Sequence, residues 1–311
     1  MKAAKKGRFS LNRLKLTVAR EWQLYLLALP AVVYLFIFHY LPMYGVQIAF
    51  KDYVAIKGIE GSPWVGFKHF ERFFSTYMFS RVFFNTLILS FLGLIIGFPV
   101  PILLALLLNQ VPGKAFKKTV QTVTYAPHFI SLVVMVGMMN LMFSPNSGIV
   151  NKFIVLLGGE KINFMGEAEY FRAMYVLSGV WQSAGWGSII YLASLSSVDT
   201  GLYEAARIDG CNRFGLVLHI DIPSVLPTCV IMFILEMGKL MSLGYQKAYL
   251  MQNDLNLSVS EIIETYTYKT GLINNKFSYS SAIGLFTSLI NIVLLLGANF
   301  LSKKVTDNSL W

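Results

Sequence analysis

The strongest constraint on this chain is a series of six long apolar blocks that carry almost no charge. The blocks cover roughly residues 22–42, 81–108, 119–143, 171–195, 223–243 and 280–301. An α-helix needs about 20 apolar residues to cross the hydrocarbon core of a bilayer, and each block is near that length. Inside the bilayer every backbone polar group must be paired within the protein, which a helix achieves. We therefore predict an all-α integral membrane protein with six transmembrane helices.

The composition agrees with a membrane-embedded chain. Of 311 residues, 55% are hydrophobic and 14% are charged, whereas about 25% are charged in an average soluble domain. The net charge of +10 would point to nucleic acid only if it formed a basic patch on a soluble domain. Here the basic residues are densest before the first block, as the positive-inside rule requires. We expect membrane lipid, and no nucleic acid, among the partners.

The basic residues at the block ends set the predicted orientation. A dense run precedes the first block, and smaller groups follow the second and end the sixth: Lys2, Lys5, Lys6, Arg8, Arg13, Lys15 and Arg20, then Lys114, Lys117 and Lys118, then Lys303 and Lys304. The positive-inside rule places these flanks in the cytoplasm. We predict cytoplasmic tails over residues 1–21 and 305–311 and a membrane domain over 22–304. The long basic lead favours a retained anchor over a cleaved signal peptide.

The segment after the first block mixes aromatic and charged residues. Its aromatic residues are Trp64, Phe67, Phe70, Phe73 and Phe74. A helix lying in the membrane interface and a loop packed on the outer face both fit this pattern.

The most informative stretch, LYEAARIDGCNRFGLVLHIDIPSVLPT, joins the fourth and fifth blocks. Asp199 and Thr200 are good N-caps for a helix that begins near Gly201. Gly210 stands where such a helix would end in left-handed geometry. We predict a short cytoplasmic helix within residues 199–212. A second helical stretch over 212–220 would lead to Pro223, which suits the first turn of the next span.

The short helix has a surface that fits a protein partner better than lipid. Its alanines would let another backbone approach closely, and Glu204 offers an acceptor to a cationic side chain. A helix resting on lipid headgroups would carry more Lys, Arg and bulky apolar residues. We favour docking into a groove of a soluble partner, with lipid as the alternative.

The same stretch resembles the EAA signature of ABC importer permeases. That signature has Glu-Ala-Ala, three residues, Gly, nine residues, Ile, one residue, Leu or Ile, and Pro. Every spacing is met here, by Glu204, Ala205, Ala206, Gly210, Ile220, Ile222 and Pro223. Further blocks over roughly residues 40–223 resemble the polysaccharide-type (LplB-like) carbohydrate permeases, which include the first subunit of alginate importers: YLPMYGVQIAFKDY, WVGFKHFERFF, FFNTL, QTVTYAPHFISLVV and WGSIIYLASL.

The resemblance implies a type I ABC importer permease fold in the bacterial cytoplasmic membrane, with both termini cytoplasmic. The short helix would be the coupling helix that inserts into an ATPase subunit. The residues implied in coupling are Glu204, Ala205, Ala206, Arg207, Asp209, Gly210, Ile220 and Pro223. The implied partners are two ATPase subunits, a second homologous permease in a heterodimer, and an extracellular lipid-anchored solute-binding protein. Segments 44–74 and 245–277 would meet that binding protein.

The function implied is oligosaccharide import driven by ATP. The chain has no phosphate-binding G-x-x-x-x-G-K-[ST] motif, so we expect no cofactor in it, and ATP and Mg bound by the ATPases. An ion-coupled secondary transporter is the alternative, and it would favour internal repeats and broken helices. An intramembrane enzyme or metal site is less favoured, because the residues concerned are dispersed: His39, His69, His128 and His219, with Cys211 and Cys229.

Substrate contacts are predicted among polar and aromatic residues of the spans. Sugars need aromatic rings against their C–H faces and hydrogen bonds to their hydroxyls. The candidates are Tyr125, His128, Asn140, Trp181, Gln182, Trp186, Glu236, Lys239 and Asn291. For each of them a helix–helix hydrogen bond or an interfacial position is the alternative. Glu236 and Lys239 are spaced as a same-face pair. We expect them to neutralise one another, although Lys239 could instead meet an acidic sugar.

Overall fold

The computed structural model describes residues 20–306 and residues 309 and 310. Most of the predicted N-terminal tail, and residues 307, 308 and 311 of the C-terminal tail, lie outside this described part. Within it the chain is helical, and extended pairing is limited to isolated bridges, Lys51 with Trp64 and Val54 with Gly58. Contacts between residues divide the chain into two compact units, Met1–Gly66 and Phe67–Trp311.

The first unit contains a long apolar helix, Trp22–Phe50. It is α-helical over Trp22–Leu35 and Leu41–Met43, with a π turn over Phe36–Tyr40 and a 3₁₀ end over Tyr44–Phe50. The helix thus continues beyond the apolar block predicted over 22–42.

After this helix the chain folds back on itself. A 3₁₀ turn, Ala55–Lys57, and a short helix, Gly58–Gly61, form the return. The Val65 amide donates to the Phe50 carbonyl at 2.8 Å, and the Phe50 and Trp64 rings stack with centroids 5.7 Å apart. This mixed segment is therefore folded within its own unit.

The second unit is built mainly from long helices. They are Met78–Gln110, the pair Lys114–Phe129 and Leu132–Met142, Ala168–Ser196, Arg213–Met237, and Phe277–Thr306. Below they are called the second to sixth long helices. Across the described residues, four helices are long and apolar enough to cross a membrane, or five if the bent pair is one span. The fourth is more polar, although its 29 residues reach beyond a hydrocarbon core of about 30 Å.

The third block, predicted as one span over 119–143, contains a sharp bend. Two helices meet there at 101°. Pro127 has no backbone N–H to continue the α-helix, and Ile130 is extended, with ψ of 128°. The Ser131 hydroxyl then caps the next helix by accepting from the Val134 amide at 3.4 Å. Pro127 and the Ser131 N-cap therefore divide this apolar run into two helices.

The stretches predicted over 212–220 and 223–243 form one helix, Arg213–Met237. Asn212 caps it by accepting from the Gly215 amide at 2.8 Å. A π turn over Val217–Asp221 precedes Pro223. Its wider ring accommodates a residue without an N–H, so the helix continues through the proline instead of beginning there. The predicted end at 243 is too late, because the helix stops at Met237.

The other long helices extend past their predicted blocks at 81–108, 171–195 and 280–301. The second contains a π turn over Gly93–Gly97, just before Pro99. Hydropathy locates only the part of a helix that would lie in hydrocarbon, while the helix itself continues through polar ends.

A group of short helices between the fifth and sixth long helices forms a cap. They are Tyr245–Met251, Leu257–Ser260, Ile263–Tyr268 and the π turn Lys269–Ile273. Ile262 and Ile263 are almost fully buried. The Asn85 side chain of the second long helix donates through Nδ2 to the Ser258 and Glu261 carbonyls at 2.9 and 3.1 Å. The cap is therefore a packed part of the unit.

Two further short helices flank the long ones. Ile149–Leu156 is held by the buried Asn151 side chain, which exchanges hydrogen bonds with the Ile162 backbone at 2.8 and 2.9 Å. Lys68–Ser75 buries Phe73 against a cluster that includes Tyr279. The structure combines features of the two alternatives for this aromatic segment, since residues 68–75 are helical and Phe73 packs on protein.

The third and fourth long helices make a close backbone contact. A Cβ at Gly185 would overlap the carbonyl group of Thr124, so this crossing requires glycine. Small residues at such contacts are typical of helices that pack in membranes.

We predict that Gly185→Ala destabilises the fold by about 1–3 kcal/mol, because the added methyl meets rigid backbone. Thermal unfolding of the detergent-purified protein measures the effect. Gly137→Ala is the matched control, since a Cβ there would meet nothing within 4 Å. It should leave the melting temperature unchanged or raise it slightly. Equal melting temperatures for the two variants would contradict the close contact.

Candidate functional site

The short helix between the fourth and fifth long helices, called the linker helix, covers Thr200–Ile208. The Asp199 carboxylate caps it by accepting from the Gly201 amide at 3.0 Å. At its end Gly210 has φ +80°, and the Cys211 amide bonds to the Ala206 carbonyl at 2.9 Å. This left-handed ending is the geometry that glycine permits.

The linker helix carries an exposed surface of mixed chemistry. The large apolar side chains of Leu202 and Ile208 are 55% and 86% exposed, and that of Phe214, at the start of the fifth long helix, is 75% exposed. The exposed residues implied in coupling are Glu204, Ala205, Arg207, Asp209, Gly210 and Pro223, while Ala206 and Ile220 are half-buried. Several large exposed apolar side chains in so short a segment are a feature of interaction sites.

A buried carboxylate fastens the linker helix to two long helices. Asp221, in the fifth, is fully buried. Its Oδ1 accepts from the Tyr203 hydroxyl at 2.6 Å and from Asn109 Nδ2 at 3.0 Å, and its Oδ2 accepts from Gln110 Nε2 at 2.6 Å. Burial, aided by the bond to Asp221, raises the pKa of Tyr203 to about 12, so its hydroxyl remains a donor.

Sequence reasoning missed this anchor. Its one visible signal is an acidic residue, Asp221, close to a proline at the start of an apolar run. Two of its donors, Asn109 and Gln110, lie more than a hundred positions away in the sequence. Nothing in the local pattern connects those positions.

A cavity of about 410 Å³, the central cavity, lies among the second, fourth and fifth long helices. Its wall includes Ser90, Gly97, Ser183, Tyr191, Glu236 and Lys239. Two of the predicted contact residues, Glu236 and Lys239, thus meet at one cavity. Its hydroxyls, phenol ring and opposite charges could contact a polar, hydroxyl-rich molecule.

The predicted neutralisation of Glu236 by Lys239 does not occur as an ion pair between these two described residues. The physical reason is the end of the fifth helix at Met237. Lys239 lies in the turn that follows, where its amide bonds to the Glu236 carbonyl at 3.0 Å. Same-face spacing requires a continuous helix through both residues.

Other predicted contacts lie outside the central cavity wall. His128 and Trp186 stack with centroids 4.5 Å apart and planes 2° apart, and both are exposed. Trp181 is half-exposed, Tyr125 is half-buried and Asn140 is exposed. The structure therefore brings His128 and Trp186 together, but at a place other than the cavity that Glu236 and Lys239 line.

Two predicted contacts instead make hydrogen bonds between elements. Gln182 Nε2 donates to the Ile130 carbonyl at 2.8 Å, at the break in the third helix. Asn291 of the sixth helix accepts from the Met241 amide and donates to the Ser242 hydroxyl, both at 2.9 Å. The alternative of a helix–helix hydrogen bond fits both residues.

The described residues contain no group of three or more His, Cys, Asp or Glu that could hold a metal ion. Cys211 and Cys229 are both free thiols. The organised features of this unit are therefore an exposed linker helix, a buried anchor beneath it and a polar cavity.

A family model and two relatives in Bacillus subtilis match most of this chain. Residues 97–307 match the family described as binding-protein-dependent transport system inner membrane component. The protein LplB of Bacillus subtilis is 44% identical, over 94% of this chain and 92% of its own length. The polygalacturonan/rhamnogalacturonan transport system permease YteP, also of Bacillus subtilis, is 44% identical over 96% of this chain and 94% of its own length.

A solved structure has the same fold. It is a bacterial ABC transporter involved in the import of the acidic polysaccharide alginate, with a TM-score of 0.87 and 37% identity. The match covers 94% of this chain and 99% of that one. A second structure holds the alginate transporter in complex with an alginate pentasaccharide-bound periplasmic protein, with a TM-score of 0.87 and 36% identity over 96% and 100%. The chain therefore belongs to the family of binding-protein-dependent transport system inner membrane components.

Proposed function

We propose that this chain is one permease subunit of an ATP-driven importer for oligosaccharides in the bacterial cytoplasmic membrane. The observation that carries the proposal is the exposed linker helix with the EAA spacing, in a chain 44% identical over nearly its whole length to a polygalacturonan/rhamnogalacturonan transport system permease. A more distant relative, AraP of Bacillus subtilis, is a permease of an arabinooligosaccharide transport system. An ion-coupled secondary transporter is disfavoured by membership of a binding-protein-dependent family.

The linker helix is the proposed coupling helix. Glu204 and Arg207 are exposed on it beside the apolar side chains of Leu202 and Ile208. A groove on an ATPase subunit would cover these apolar groups and offer a basic partner to Glu204. Asp221 would pass the resulting movement to the second and fifth long helices, because its carboxylate bonds to residues of both neighbouring elements.

The proposed topology has six spans with both termini in the cytoplasm. The fourth long helix counts as a span because it is long enough to cross the bilayer. Some of its polar residues, such as Ser183 and Tyr191, line the central cavity. Lysines at the start of the third helix and the end of the sixth favour this orientation. The linker helix and both termini then share one side of the membrane.

The chain works in a larger assembly under this proposal. Two separate ATPase subunits would bind ATP and Mg and hydrolyse the nucleotide, and this subunit would have no catalytic role. A second homologous permease would complete the pathway. An extracellular lipid-anchored protein would deliver the oligosaccharide to segments 44–74 and 245–277, in keeping with the periplasmic protein bound to the alginate transporter.

The central cavity is the proposed substrate path within this subunit. Tyr191 offers a ring and Ser90 and Ser183 offer hydroxyls, while Lys239 has no ion-pair partner among the described residues. A free ammonium group in a cavity would attract an acidic sugar, and Glu236 would accept from sugar hydroxyls. His128 and Trp186, whose exposed rings stack, are proposed to face the second permease.

We predict that Glu204→Lys lowers oligosaccharide uptake about tenfold or more, because reversing one charge of a buried interfacial pair is costly. The measurement is uptake and substrate-stimulated ATP hydrolysis by the assembled importer in proteoliposomes. Glu160→Lys, the same charge change at an exposed residue far along the chain from the linker helix, is the control. Uptake and ATP hydrolysis at the parent level in Glu204→Lys would refute the coupling role.

We predict that Tyr203→Phe weakens coupling without abolishing assembly. The variant removes one donor from Asp221 but leaves Asn109 and Gln110 in place. The loss of such a bond costs about 1–3 kcal/mol, so the ratio of sugar molecules moved to ATP hydrolysed should fall. Tyr77→Phe, at a tyrosine that is 83% exposed, is the control. An unchanged ratio would show that the anchor does not transmit movement.

A further inference from the structure

A second cavity, the cap cavity, also of about 410 Å³, lies between the cap helices and the sixth long helix. Its wall includes Tyr245, Glu264, Thr267, Tyr268, Ser280 and Ser288. No lining residue is Lys or Arg. Its residues belong to none of the predicted substrate contacts, and its chemistry differs from that of the central cavity.

The Glu264 carboxylate in this wall is only half satisfied. The Gly244 backbone hydrogen-bonds to it, whereas its Oε2 atom is buried and has no hydrogen-bond partner. Burial raises the pKa of Glu264. A buried acceptor without a donor costs free energy.

Three hydroxyl groups of the wall donate to backbone carbonyls of their own helices. Thr267 donates to the Ile263 carbonyl, Ser280 to the Phe277 carbonyl and Ser288 to the Gly284 carbonyl. Each oxygen keeps lone pairs that can accept a bond, because a hydroxyl has one donor and two acceptor sites. The cap cavity therefore presents several hydroxyl acceptors, beside the Tyr245 and Tyr268 hydroxyls, which can also donate.

Aromatic rings complete the wall. Tyr245 and Tyr268 stack with centroids 4.4 Å apart and planes 13° apart. Tyr249 meets Tyr268 edge-on at 5.3 Å. Rigid tyrosine rings give apolar contact area with little loss of conformational entropy, which suits the C–H face of a sugar ring.

The two cavities are neighbours. Ser242 lines both of them, and Asn291 holds Ser242 in place through its hydroxyl. A chain-like ligand that occupied the cap cavity would therefore have its next units close to the central cavity.

We propose that the cap cavity binds a neutral, hydroxyl-rich sugar unit of an oligosaccharide before that oligosaccharide enters the central cavity. This proposal rests on the proposed import function. Sugar hydroxyls supply the donors that Glu264 and the Thr267, Ser280 and Ser288 oxygens lack. A uronate unit is disfavoured, because its carboxylate would face Glu264 with no cation in the wall.

The test uses the complete importer in proteoliposomes with an unaltered binding protein. The probes are a neutral arabino-oligosaccharide and an oligogalacturonide of equal length. Glu264→Gln keeps the size of the side chain and removes its charge. We expect kcat/KM for the neutral probe to fall roughly tenfold, while that for the oligogalacturonide stays constant or rises. The Glu204→Lys variant tests coupling independently.

Tyr268 provides a second variant at the same wall. Tyr268→Ala removes the stacked ring and should also lower kcat/KM for the neutral probe, whereas Tyr268→Phe keeps the ring and should not. ATP hydrolysis without substrate reports assembly of each variant. If Tyr268→Ala fails to assemble, Glu264→Gln decides the matter alone.

The outcomes separate the two proposals. Uptake of an oligosaccharide by the parent importer, with kcat/KM for both probes unchanged in Glu264→Gln, would overturn the cap-cavity proposal and leave the import function standing. A fall for the oligogalacturonide equal to that for the neutral probe would also overturn it. Absence of uptake of either probe by the parent importer would overturn the import function and, with it, this proposal.

Discussion

One buried carboxylate, that of Asp221, connects three elements of the second unit. Asp221 is fully buried, and burying such a group is costly unless its oxygens are hydrogen-bonded. Its three donors come from the linker helix and from the end of the second long helix, while its own backbone belongs to the fifth. The three elements cannot separate without leaving acceptors unsatisfied. Displacement of the linker helix must therefore either break these hydrogen bonds or carry residues of the two long helices with it.

Three prolines of the long helices follow a π turn. π turns lie just before Pro42, Pro99 and Pro223. A π turn widens the helix where the proline ring would otherwise clash and where one backbone donor is missing. In the second helix the same turn carries Gly93 and Gly97, which line the central cavity. A local backbone adjustment thus also makes space inside the bundle.

Local signals in the sequence were sufficient where a structure is decided locally. The Asp199 cap and the left-handed Gly210 bound the linker helix as their residue types require. Apolar blocks located the long helices because about 20 apolar residues have few alternatives to a membrane span. The break near Ile130 was missed because hydropathy is blind to a change of direction inside an apolar run.

Contacts between distant residues could not be derived in this way. Gln182 and Asn291 have the polarity of sugar ligands, yet each bonds to a backbone or side-chain group of another element. The cap reads as a loop of mixed polarity, but Ile262 and Ile263 are buried in it by packing against distant helices. The position of Glu264 in a cavity wall also results from these long-range contacts, so it could not be predicted from the sequence.

The end of the fifth helix decides the chemistry of the central cavity. Gly238 packs so closely against Leu295 that a Cβ would lie 2.8 Å from its Cδ1 atom, and the helix stops one residue earlier. Had the helix continued, Glu236 and Lys239 would have faced each other one turn apart and neutralised their charges. Because it stops, both side chains line the cavity separately and remain available to a ligand that both donates and accepts. Glu236 and Lys239 therefore both line the central cavity without an ion pair between them in the described part of the chain.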